Sequence, residues 1–152
     1  MADLTTTVTE SVVLNGALRG NTNSVTTTGI NNVFERIVTC INSQETTVAV
    51  FATAPFTPSN TTAIDVQNAR YIRITNLDAD AWIEVAIVTT ASNYQVLLTP
   101  GNSHILAQAE AVALAEEDTT PSFGVLENLA SITVKPVGVS FDPQVSIFVA
   151  GI

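Results

Sequence analysis

The sequence predicts an all-β chain, folded as an antiparallel β-sandwich, jelly-roll-like or immunoglobulin-like, of about eight or nine strands with little or no helix. Three observations predict it. Short runs in which apolar and polar residues alternate recur along the chain, the period of a strand with one buried face. Turn residues (Pro, Gly, Asn, Asp) separate these runs at regular intervals. Helical periodicity is almost absent.

Residues 5–14, TTTVTESVVL, alternate Val8, Glu10, Val12 and Leu14 against Thr7, Thr9, Ser11 and Val13. This is a half-buried strand. Residues 15–32 are rich in Gly, Asn, Thr and Ser and read as turns and loop, with a short strand at 24–28. VFERIVTCI (33–41) and TTVAVFATA (46–54) are strands, and the prolines of PFTPSN (55–60) end the second. TAIDV (62–66) is a short strand. Residues 71–75 and 81–88 are expected to form the central hairpin, with Ile72, Ile74, Ile83, Val85 and Ile87 facing the core and Trp82 at a packing or interface position. NYQVLLTPG (93–101) stops at a Pro-Gly turn, and SHILAQ (103–108) returns from it. AQAEAVALAEED (107–118) is Ala-rich but alternates, so it reads as a strand running into an acidic loop, with a short helix as the competing reading. ASITVKPV (130–137) and PQVSIFVA (143–150) close the fold as a pair.

At 152 residues the chain is one domain, 1–152, in which residues 1–32 are expected to act as an N-terminal arm contacting neighbouring subunits. Charged residues make up 12% of it, about half the usual share. Thr, Ser, Asn, Gln and Ala must therefore cover the surface, which suits a subunit packed against copies of itself. The formal charge is −9, and Arg19, Arg36, Arg70, Arg73 and Lys135 are scattered. That pattern argues against a nucleic-acid footprint or an anionic membrane surface as partner. The start, MADLTTTVTE, has neither the basic nor the apolar region of a secretory signal. The single cysteine, Cys40, lies in an apolar strand and reads as a buried, inert thiol.

Few residues carry chemistry. His104 is the one histidine, and it follows a tight turn without any nucleophile motif around it. One Cys and one His cannot make a zinc site within a chain. No glycine-rich phosphate loop occurs. Two acidic clusters remain, Asp78, Asp80 and Glu84 (with Asn76), and Glu116, Glu117 and Asp118. Calcium needs six to eight oxygens, whereas Asn and Asp in a turn commonly cap the backbone. The reading is therefore no enzyme, no metal site and no cofactor.

The succession YIRITNLD, WIEVAI, YQVLLTPGNSHIL, ASITVKPV and VSIFVA, across roughly residues 70–150, resembles small β-sandwich virion proteins of tailed bacteriophages, those of marine and cyanobacterial phages in particular. The Ala-rich segment 107–118 departs from that pattern, and the N-terminal third, including LNG at 14–16, matches it less well. The resemblance implies a virion structural subunit, made in the host cytoplasm. The expected role is a homo-oligomeric head decoration or cement (auxiliary capsid) protein. The expected partners are itself, as a homotrimer or other cyclic oligomer, and a major capsid or tail protein. The alternative is a tail, fibre or baseplate component. A further alternative, a carbohydrate- or receptor-binding sandwich, would use Phe56, Tyr94, Phe123 and Phe141 near loop tips.

Overall fold

The computed structural model describes residues 1–53, 62–116 and 119–152. Among them thirteen strands are found and no helix. They are β1 (Ala2–Thr9), β2 (Val12–Leu14), β3 (Ala17–Arg19), β4 (Thr22–Ile30), β5 (Asn32–Thr39), β6 (Thr46–Ala52), β7 (Ile64–Asp65), β8 (Ala69–Asn76), β9 (Trp82–Thr89), β10 (Asn93–Leu98), β11 (Ser103–Leu106), β12 (Leu129–Val137) and β13 (Gln144–Gly151).

Nine strands build the sandwich. One sheet has the order β10-β9-β12-β6-β7 and the other β11-β8-β13-β5. The antiparallel pairs nest: β9 with β10, β8 with β11, β6 with β12, and β5 with β13. Such nesting is one long hairpin folded over on itself, with β9–β12 and β8–β13 pairing where it folds. This strand order is that of a jelly roll, two Greek keys in two sheets. The two-residue β7 joins as a short parallel strand.

β-Branched side chains fill the space between the sheets. Ile72 and Ile74 of β8, Ile83, Val85 and Ile87 of β9, Ile132 and Val134 of β12, and Val145, Ile147 and Val149 of β13 are at most 2% exposed. Val and Ile suit a pleated, half-buried surface because their χ1 is already restricted. Each such side chain contributes about 1.5–3 kcal/mol of burial free energy. The core residues expected within 71–88 are therefore in the core.

Their pairing differs from expectation. Residues 71–75 and 81–88 are not a hairpin, because β8 and β9 lie in opposite sheets. The same holds for the pairs β10/β11 and β12/β13. Alternation reports a buried face but not which sheet supplies it. The corner after β8 is built on a buried amide. Asn76 Nδ2 donates to the carbonyls of Ala81 (2.7 Å) and Leu98 (3.2 Å), and its Oδ1 accepts from Asp78 N–H (3.0 Å). Asp78 Oδ1 then accepts from the N–H groups of Asp80 (2.9 Å) and Ala81 (2.8 Å).

Segment 107–118 is no strand as far as it is described. β11 stops at Leu106, and Ala111 takes a left-handed φ of 50° that breaks the extended path. Only an isolated bridge, Ala113 to Glu127, remains. Neither does a helix form over the described part.

The larger correction concerns the N-terminus. Residues 15–32 are not loop but the return limb of a long two-stranded ribbon. β1 pairs with β4 from Leu4↔Thr27 to Thr9↔Thr22, and three residues further along both strands Val12 faces Arg19 in the same register. Asn15 (φ 51°) and Gly16 (φ 76°) close the ribbon, the positive φ values of a two-residue type I′ turn. Gly20 sits where a Cβ would lie 2.1 Å from the Glu10 carbonyl oxygen, so only glycine fits. The Thr, Ser and Asn content that reads as loop instead forms cross-strand hydroxyl pairs. These are Thr5–Thr26 (3.4 Å), Thr7–Ser24 (2.8 Å) and Thr9–Thr22 (3.2 Å).

Candidate functional site

The residues singled out for chemistry do not converge. Asp78 is consumed by the corner, capping two backbone N–H groups. Glu84 lies on the outer face of β9, opposite Lys135 in register, away from that corner. Glu116 is exposed, and Glu117 and Asp118 lie outside the described residues. Among the described residues no three His, Cys, Asp or Glu side chains are grouped so as to hold a metal ion.

His104 ties the edge of the sandwich. Its Nε2 is 3.1 Å from Tyr94 Oη, linking edge strand β10 of one sheet to edge strand β11 of the other. Burial lowers the His104 pKa and raises that of Tyr94. The Cys40 thiol is fully buried and is pushed up to about 11 by that burial, so it is no nucleophile at neutral pH.

The aromatic candidates are also dispersed. Phe123 is 97% exposed on the connection between β11 and β12. Phe141 is partly exposed between β12 and β13. Antiparallel alternation puts these two connections at opposite ends of the sandwich. Tyr94 is half-buried against His104, and Phe56 lies outside the described residues. Trp82 is half exposed on the outer face of β9, facing Val137 across the sheet.

Sequence reasoning missed Glu127. Its carboxylate accepts from Ser92 Oγ (2.6 Å), from the Thr89 hydroxyl and from Ala91 N–H (3.2 Å). Its backbone meanwhile pairs with Val112 and Ala113. One residue thus ties the connection between β11 and β12 to the turn after β9. Nothing in its local sequence marks it, since its side-chain partners are more than 30 residues away. The Ser92 and Thr89 hydroxyls hold the Glu127 carboxyl below its ordinary pKa. A lowered folded-state pKa stabilises above the unfolded value and is lost as pH falls through the folded one. Glu127→Gln is therefore expected to lower the thermal midpoint at about pH 7. The difference from the parent should shrink as pH falls through the lowered folded-state value and the parent's own carboxylate takes up its proton. Parallel melting curves from neutral pH into the acid range check this, and a difference that grows on acidification rules it out.

What remains is surface. The base of the ribbon crosses the outer face of the four-stranded sheet. There Leu4 to Thr7 line an open groove of about 370 Å³ with Glu35, Tyr71, Arg73 and Phe148. Tyr71 meets the Phe148 ring edge-on at 6.0 Å, and the Arg73 guanidinium lies 5.7 Å from that ring's centre. Arg73 Nε is buried there without a hydrogen-bond partner. Leu4 and Thr6 are half-buried on this floor, whereas every residue from Thr7 to Thr26 is exposed. The exposed run projects roughly 25 Å at the rise of a strand. Val12, Val13, Leu14 and Leu18 stand at its tip, each more than half exposed. Edge strand β5 also shows Val33 and Ile37 to solvent. No family model matches this chain, and no curated protein or solved structure shows significant similarity to it.

Proposed function

We propose that this chain is a structural component of a tailed-bacteriophage virion, a homo-oligomeric head decoration (cement) protein that is made in the host cytoplasm and binds a major capsid protein. The exposed ribbon carries this reading. A sandwich with its own complete core has no need of a 20-residue projection ending in bare Val and Leu, whereas a subunit that must grip neighbours does. The low charge content, 12%, and the jelly-roll strand order, one that capsid domains use, support it. The work of such a protein is interface formation, with no bond made or broken.

The test is composition of particles. Purified virions from the phage that encodes this chain should contain its peptides, enriched over the soluble lysate and at a copy number comparable with that of the major shell protein. A copy number far below the shell's moves the assignment to tail, fibre or baseplate, and absence from particles overturns it. The full exposure of Phe123 favours a second reading, a carbohydrate- or receptor-binding module. A glycan array without signal removes that reading.

A further inference from the structure

We propose that the ribbon is the element through which copies of this chain assemble, the tips of three or more identical ribbons packing together around a rotation axis. The inference rests on the reading of the protein as a self-assembling subunit and names the surface that does it.

Four observations lead here. First, the ribbon needs a partner: a two-stranded hairpin in water is marginal at best, and this one is exposed along 20 consecutive residues. Second, its extent fits a protein interface, which uses about 20–30 residues a side. Third, charge permits the partner to be another copy. Glu10 and Arg19 cancel over residues 4–31, so the whole formal charge of −9 lies outside that segment. Two copies therefore repel through their sandwiches and not through their ribbons.

Fourth, the tip carries apolar side chains on both faces. Val12 faces Arg19 and Leu14 faces Ala17, so alternation puts Val12, Leu14 and Ala17 on one side of the ribbon, with Arg19 at its border. Val13 faces Leu18 on the other side. A flat partner, or a single two-fold contact, would cover one side and leave the other wet. In a ring, each ribbon offers one side to the neighbour ahead and the other to the neighbour behind, and three is the smallest ring in which these are different molecules.

Light scattering of the intact chain tests this. The expected mass is three or more times 16.0 kDa. Leu14→Asp and Leu18→Asp, one on each side of the tip, should each reduce it to that of a single chain at working concentration. Both positions are outside the core, and unchanged far-UV circular dichroism will show that each variant is folded. Ile37→Lys on the free edge of β5 should leave the mass unaltered. As an independent readout, Val12→Cys combined with Leu18→Cys, one thiol on each side of the tip, should form intermolecular disulfides on oxidation, with the buried Cys40 silent. A parent that stays monomeric or dimeric overturns the proposal. So does a mass that survives both Asp substitutions, or one that falls only with Ile37→Lys. In those last two cases the chain can still be counted on virions, so the subunit reading stands or falls separately.

Discussion

Asn76→Ala is expected to lower the free energy of unfolding by about 2–4 kcal/mol, a fall in melting temperature of roughly 6–12 °C for a domain of this size. Asn76 is fully buried, and its amide holds three backbone groups at once. Truncation strips the donor from the carbonyls of Ala81 and Leu98 and the acceptor from Asp78 N–H. Each buried group left unpaired costs about 1–3 kcal/mol, and water reaching the partly buried Asp78 offsets some of that. Leu98 ends β10 while Ala81 precedes β9, so the amide also fixes the corner to the neighbouring strand. Asp80→Ala, in the same turn but with an exposed side chain, should change stability by less than about 0.5 kcal/mol. Equal losses from the two substitutions, measured by chemical denaturation, would refute this account of the corner.

That corner shows what could be read in advance. NLDAD is legible as a turn from composition, and its acids as caps rather than ligands. The core is legible too, since Ile72, Ile74, Ile83, Val85 and Ile87 alternate and all five are buried. Which sheet each strand joins is not legible, because a crossing corner and a hairpin turn use the same residues. Val134 meets Val85 and Val149 meets Ile72 only through pairings more than 45 residues apart in sequence.

The ribbon failed for another reason. Thr-rich segments have strand propensity, but Gly and Asn among them look like loop. Asn15-Gly16 after an alternating run is a hairpin signal, but the Gly, Asn and Thr that follow it carry no alternation to mark the return limb. The surface was legible only as composition. Low charge says that something is covered, while the two-sided tip that identifies where needs the register of Val12 with Arg19 and Val13 with Leu18.

Ile147→Ala is expected to cost about 2–5 kcal/mol. Ile147 is fully buried in β13, next to Ile74 across the sheet, and faces the side chains of the opposite sheet. Its removal forfeits transfer free energy and leaves a cavity that neighbours restricted at χ1 cannot close. The contrast with Leu14→Ala separates folding from assembly. Leu14 touches no core residue, so in dilute monomer that substitution should move the melting temperature very little. If ribbons hold copies together, the parent's melting temperature rises with protein concentration, because assembly stabilises the folded state by mass action. Leu14→Ala should flatten that rise and leave the dilute limit unchanged. Ile147→Ala should lower the dilute limit and, at concentrations where its folded chains still assemble, keep the upward slope. The two variants thus act on different terms of the same melting curve. A Leu14→Ala protein that loses as much stability in dilute solution as Ile147→Ala would mean that the ribbon is part of the fold rather than an appendage to it.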